Sequence, residues 1–151
     1  MPSFVFETVD LGTLVRTVVD ELRAANPGRT ITIEPHGELR GRWDVVRLGQ
    51  VISNLVGNAL THGAPDSPVI VSLTAVADRV LVAVTNDGPT IPDALGKLFE
   101  PFWQAPRSGA TRSRGLGLGL FIAQQIVEAH GGEIAVRSQT GQTTFTVRLP
   151  P

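Results

Sequence analysis

Gln50, Asn54, Asn58 and His62 recur every four residues, a spacing that lines one polar stripe along a helix whose other positions are mostly apolar. Asparagine is a poor helix-interior residue because its amide competes with the backbone for hydrogen bonds, so two of them one turn apart ask for a reason. A neutral amide oxygen can ligate Mg²⁺ whose other positions are filled by water and substrate phosphates, without a carboxylate to repel those phosphates. A solvated helix face would leave the same stripe. A second group is Gly115-Leu116-Gly117-Leu118-Gly119-Leu120, which opens a helix. Its glycines let backbone amides approach a polyphosphate, and a helix N-terminus adds partial positive charge. The spacing fits neither a dinucleotide fingerprint, which needs glycine at the position of Leu120, nor a P-loop, since the only lysine is Lys97. Close packing in a tight turn would use the same glycines. The third group is Asn86-Asp87-Gly88-Pro89-Thr90-Ile91-Pro92, where Gly88 permits a sharp bend beside polar groups able to read a base edge, or simply makes a turn.

The elements that must hold these residues follow from periodicity. Leu11, Leu14, Val15, Val18, Val19 and Leu22 form an apolar stripe on a helix predicted over 11–25 and stopped at Pro27-Gly28. Alternation at Ile31 and Ile33, and an extended stretch over 39–43, predict two early strands. Asp44 is a good N-cap for the helix carrying the Asn stripe, and Gly63-Ala64-Pro65 ends it. The β-branched runs 69–76 and 80–85 predict an antiparallel hairpin. Pro92 suits the first turn of a short helix over 93–99. Residues 101–114 lose periodicity and gain Gly, Ser, Thr and Arg, the profile of a lid that nucleotide would order. Helical spacing returns at Leu118, Phe121, Ile122, Ile126 and Val127 and closes at Gly131-Gly132; 134–137 and 143–149 make a last hairpin about Thr140-Gly141. Helices and strands in separate blocks predict an α+β two-layer sandwich with one largely antiparallel sheet.

A chain of 151 residues is the size of one domain. Lys and Arg number 13 against 14 Asp and Glu, a net charge of -1 that lacks the broad pull of a nucleic-acid binder on phosphate backbones. The absence of cysteine excludes disulfides and thiolate zinc sites, and His36, His62 and His130 are too far apart in sequence for a metal-ligand spacing. Apolar runs such as 80–84 fall far short of the roughly 20 residues of a membrane span, and no signal-peptide pattern opens the chain.

Order adds what the single motifs lack. An Asn-x-x-x-Asn helix, an Asn-Asp-Gly-Pro turn, Leu98-Phe99-Glu100-Pro101-Phe102 and the triple-glycine turn follow one another. Over nearly its whole length the chain thereby resembles the catalytic, ATP-binding domain of sensor histidine kinases, in the superfamily shared with gyrase, mismatch-repair and heat-shock chaperone ATPases. RLGQVISNLVGNALTHG, residues 47–63, resembles that family's N box, residues 86–92 its first glycine box, LFEPF its F box and GLGLGL its second glycine box. The tail EAHGGEIAVRSQTGQTTFTVRLP is similar to the family's as well. Among subgroups, the kinases of bacterial phytochromes look most similar, through NALTHG and the Asn-Asp-Gly-Pro turn.

The resemblance implies a Bergerat-type ATP-binding fold, with a mixed, largely antiparallel sheet on about three helices, and ATP with Mg²⁺ as its ligands. It implies Asn58 as the Mg²⁺ ligand, Asn54 as a phosphate-side and metal-side partner, and His62 near the adenine. Asn86, Asp87, Gly88 and Ile91 would also contact nucleotide. Gly115, Leu116, Gly117, Leu118 and Gly119 would surround the phosphates, with Arg112 or Arg114 neutralising the γ-phosphate. Phe99 and Phe102 would anchor the lid or pack in the core, and Thr143 matches a hydroxyl that orders the adenine edge or is a plain strand residue.

Three positions depart from the family's pattern: Asn86 where Asp is usual, with Asp87 one place later; Thr90 for a glycine; and Thr61 for a lysine three residues after Asn58. None of His36, His62 and His130 has the sequence context of a phospho-acceptor. The resemblance therefore implies a catalytic part that serves a histidine on a separate dimeric helical hairpin and, through it, a response regulator. It also implies a cytoplasmic location, no nucleic-acid or membrane contact, and a monomer when alone. Rival readings are an anti-sigma-factor-type serine kinase, a non-catalytic ATP-sensing scaffold, and a gyrase-type hydrolase, whose water-activating carboxylate would sit where Asn54 sits.

Overall fold

The computed structural model describes residues 3–35, 39–89, 99–100 and 118–151. Its elements are β1 (Glu7–Asp10), α1 (Leu11–Ala25), β2 (Ile31–Pro35), β3 (Arg40–Trp43), α2 (Val45–His62), β4 (Val69–Val76), β5 (Arg79–Asp87), α3 (Gly119–Ala129), β6 (Glu133–Gln139) and β7 (Gln142–Leu149). Five strands form one sheet in the order β2-β4-β5-β7-β6, antiparallel except for the β2–β4 pair, while β1 and β3 make a separate antiparallel ribbon. The two early strands thus belong to different sheets. β1 is an addition that alternation did not reveal, because only Val9 of its four residues is buried. The short helix expected over 93–99 and the lid over 101–114 lie outside the described residues, apart from Phe99.

Period-two burial turns one face of the sheet toward the helices. Val69, Val71 and Leu73 of β4, Val80, Val82 and Val84 of β5, and Phe145, Val147 and Leu149 of β7 are buried, and each fully buried aliphatic side chain contributes about 1.5–3 kcal/mol. They share one core with Leu48, Val51, Ile52, Leu55 and Val56 of α2, Leu11, Val15 and Val19 of α1, and Ala123, Ile126 and Val127 of α3. Thr140 and Gly141 have φ of 56° and 74°, the backbone of a type I′ turn that matches strand twist and allows β6 and β7 to pair in tight register.

α2 is pinned at its start. The Asp44 carboxylate caps it, accepting hydrogen bonds from the amides of Arg47 at 3.0 Å and Val5 at 2.9 Å. The Asp44 amide donates to His130 Nε2 at 3.0 Å, so His130 carries its proton on Nδ1 and donates it to the Ile126 carbonyl at 2.8 Å. The start of α2 is thereby tied to the end of α3. Burial alone would raise the Asp44 carboxyl, but the two amide bonds and the attraction of Arg47 bring it below its ordinary 3.8. A depressed folded value means a stabilisation fully present above the unfolded value and lost as pH falls through the folded one. Asp44→Ala is expected to cost about 1–2 kcal/mol at neutral pH, and the gap to wild type in thermal melts should narrow as pH falls below 3.8 and through the lowered folded value.

Candidate functional site

The inward row of β5 runs Val80, Val82, Val84 and then Asn86; that of β7 runs Leu149, Val147, Phe145 and then Thr143. Asn86 and Thr143 are paired across the two strands, 6% and 4% exposed, so a polar couple closes the same end of both apolar rows. Thr143 Oγ1 lies 2.8 Å from Ser138 Oγ and is satisfied. Asn86 is less so: its Nδ2 donates to the carbonyl of neighbouring Asp87 at 3.2 Å, and its Oδ1 has no hydrogen-bond partner among the described residues. That oxygen keeps an acceptor position open to a ligand that offers a donor. Asp87 points to the opposite, exposed face, where its carboxylate accepts from Gln142 Nε2 at 3.4 Å. The pleat therefore assigns the inward position to Asn86 and not to its acidic neighbour.

On α2 the stripe is graded, with Gln50 exposed and Asn54, Asn58 and His62 half-buried. Asn54 Nδ2 donates to the Gly119 carbonyl at 2.9 Å. Gly119, expected in the phosphate loop, is the first residue of α3, and Leu118 stands at its N-cap without a side-chain capping bond. An uncapped helix start leaves N–H groups and positive dipole for an anion. One turn beyond Asn54, the Asn58 amide makes no hydrogen bond among the described residues. From Asn54 to His62 the stripe covers about 12 Å, a length on the scale of a nucleoside triphosphate.

The far end of the stripe abuts Asn86 through two glycines. A Cβ on Gly63 would come within 3.0 Å of Asn86 Cβ, and one on Gly88 within 3.0 Å of the His62 carbonyl. Ala64 N donates to the Asp87 carbonyl at 2.6 Å and Gly88 N to the Gly141 carbonyl at 2.9 Å, binding the α2 end, the β5 end and the β6–β7 turn together. The structure thus gathers Asn54, Asn58, His62, Asn86, Gly88, Thr143, Leu118 and Gly119 along one seam, and leaves Asp87 outside it. Ile91, Arg112, Arg114, Gly115, Leu116 and Gly117, like Phe102, lie outside the described residues. Phe99 meets Phe145 edge-on at 6.1 Å and packs against the core. In the sequence Gly63 reads as a helix stop and as the last residue of the N-box match and Ser138 carries no assigned role, though counting back across the two-residue Thr140-Gly141 turn places Ser138 opposite Thr143.

The donor set at Asn58 fits Mg²⁺. It is a hard, neutral oxygen without a competing partner, and among the described residues no group of three or more His, Cys, Asp or Glu converges on a metal position. An ion held here would take its remaining ligands from phosphate and water, which is how Mg²⁺ is commonly bound.

A family model described as histidine kinase-, DNA gyrase B- and HSP90-like ATPase matches residues 43–151. The chain belongs to this family. As a member of the histidine kinase-, DNA gyrase B- and HSP90-like ATPases, it is 40% identical over 142 residues to a bacteriophytochrome of Pseudomonas aeruginosa, covering 93% of this chain and 20% of that protein. It is 35% identical over 144 residues to the probable sensor histidine kinase TcrY of Mycobacterium tuberculosis, covering 94% of this chain and 30% of the relative. The chain therefore spans less than a third of either protein. The nucleotide-free catalytic domain of histidine kinase ThkA superimposes with a TM-score of 0.83 at 30% identity, over 97% of this chain and 96% of that one. ThkA in complex with the response regulator protein TrrA matches with a TM-score of 0.78 at 28% identity, over 96% of this chain and 41% of that one. The two-layer α/β sandwich expected from the sequence is the fold of these ATPase domains.

Proposed function

We propose that this chain is the catalytic, ATP-binding part of a sensor histidine kinase, which holds Mg-ATP and presents its γ-phosphate to a histidine on a separate acceptor domain. The observation that carries the reading is the polar seam from Asn86, past His62 and Asn58, to the uncapped start of α3. Asn86 takes the base at the buried end, with Thr143 paired beside it across the strands. The Asn58 amide oxygen holds the metal, and the N–H groups opening α3 face the phosphates. Mg²⁺, when bound, supplies charge neutralisation on the phosphate oxygens. Phosphoryl transfer asks mainly for such positioning, so no nucleophile is needed on this chain. The bond from the γ-phosphorus to the bridging oxygen of the β-phosphate breaks as a phosphorus–nitrogen bond forms to the unprotonated nitrogen of the acceptor imidazole, whose other ring proton passes to solvent, and ADP leaves with the bridging oxygen.

Asn54 favours transfer over hydrolysis. An amide is no general base, and this one is engaged with the Gly119 carbonyl. A cytoplasmic setting and a dimeric acceptor hairpin belong to the same reading, as does a response regulator downstream, a step for which the complex of ThkA with the response regulator protein TrrA is support. The test is to incubate the purified chain with γ-labelled Mg-ATP, alone and with an acceptor hairpin from a phytochrome-type kinase. Alone, it should neither label itself nor hydrolyse ATP at an ordinary enzymatic rate of about 10 per second. With the hairpin, acid-labile label should appear on the acceptor histidine. Stable label on the chain itself, or rapid hydrolysis without acceptor, would overturn the proposal.

A further inference from the structure

We infer that Arg29 is a positioning residue for the base end of the site, acting through the backbone at the end of α2; the inference deepens the nucleotide-binding reading and rests on it. Arg29 lies in the turn between α1 and β2, just past Pro27-Gly28, and is half-buried. Its Nη1 donates to the Leu60 carbonyl at 2.7 Å and its Nη2 to the Ala64 carbonyl at 3.2 Å. Both oxygens belong to the stretch where a helix runs out of internal donors, and a cation there also meets the negative end of the helix dipole. The Arg29 Nε is buried with no hydrogen-bond partner among the described residues, so the two carbonyl bonds are the ones that hold the guanidinium there.

The two carbonyls bracket Gly63, and the opposite side of that same backbone is the wall against which Asn86 rests. A Cβ on Gly63 would come within 3.0 Å of Asn86 Cβ and 3.2 Å of its Nδ2. Ala64, gripped by Arg29 through its carbonyl, donates its amide to the Asp87 carbonyl at 2.6 Å. Arg29 thus fixes from behind the distance between α2 and the strand end that carries Asn86. Its hydrogen bonds among the described residues go to the Leu60 and Ala64 carbonyls and not to Asn54 or Asn58, so its influence should fall on the base and spare the phosphates. A lysine cannot replace it, because one ammonium does not span two carbonyls as a planar fork does.

The experiment measures affinities of the wild-type chain, Arg29→Ala and Arg29→Lys for Mg-ATP, Mg-GTP and Mg-tripolyphosphate, alongside thermal melts. Wild type should prefer ATP to GTP; if it binds no ATP, the nucleotide reading itself fails, and this inference with it. In both variants ATP affinity should drop about 5- to 10-fold, the preference over GTP should narrow, and tripolyphosphate should bind as before. Arg29→Lys keeps the charge and most of the side-chain volume, so it remains informative where Arg29→Ala does not fold. Unchanged ATP affinity and base preference in Arg29→Lys would overturn the inference. So would a loss shared equally by all three ligands, which marks a residue that only stabilises the fold.

Discussion

Asn58→Ala is expected to remove the metal-dependent part of ATP binding, a loss on the order of 100-fold or more when Mg²⁺ is present, with little change in its absence. Substitutions among the groups that merely support a metal ligand typically cost about 10- to 100-fold, and the ligand itself should cost at least as much. The amide is half-buried on α2, makes no hydrogen bond among the described residues, and stands one turn from the Asn54–Gly119 contact that marks the start of α3. Among the described residues no hydrogen bond therefore has to be broken for it to hold an ion, and none is lost when it is deleted. Thermal stability should accordingly stay near wild type, which separates this outcome from general damage. Asn58→Asp sharpens the test. A carboxylate can still ligate Mg²⁺ but brings negative charge against the phosphates, so metal should bind while ATP affinity falls. Titration of each variant with ATP, with and without Mg²⁺, decides the matter: an unchanged metal dependence in Asn58→Ala assigns the ion elsewhere.

What the sequence disclosed and what it hid divide along the range of the interactions involved. The bounds of α1 and β4, and the start of α2, follow from nearest-neighbour signals: an apolar stripe over 11–25, a β-branched run over 69–76, and an aspartate before an apolar helix. The stripe of Asn54, Asn58 and His62 was legible for the same reason, since helical period alone places them on one face. Partners across the fold were not. Alternation finds Ile31 and Ile33 but cannot say that β2 joins β4 in parallel while β3 turns away to pair with β1. His130 reads as a residue before a glycine pair, yet it accepts the Asp44 amide 86 residues away in sequence. Arg29 carries no periodic signal at all, being one arginine in a turn. Its role exists only once α2 has been brought against it.

Asn86→Ala is expected to cost about 1–3 kcal/mol of ATP binding, the penalty for leaving buried polar atoms of the base unmatched, and to erase the preference for ATP over GTP. Adenine offers a donor at N6 and an acceptor at N1; a carboxylate accepts from the first but has no proton for the second, whereas an amide serves both. Asn86 can therefore replace the aspartate usual at this position, with Oδ1 toward N6 and Nδ2 toward N1. The structure supports the exchange on two counts. Oδ1 is unengaged among the described residues, and the one bond made by Nδ2 is a long 3.2 Å contact to the next carbonyl, readily surrendered. Thr143, across the register on β7, is already held by Ser138 and steadies the strand without competing for the amide. Guanine reverses both positions of that edge, so a fixed amide disfavours it. The control is Asp87. Its side chain lies on the exposed face against Gln142, and Asp87→Ala should leave ATP affinity within about a factor of 2, the scale of ordinary surface changes. Measuring ATP and GTP affinities for wild type, Asn86→Ala and Asp87→Ala tests the pleat directly. Loss of ATP binding in Asp87→Ala with none in Asn86→Ala would mean that β5 turns its other face to the base, and would move the base-reading position by one residue.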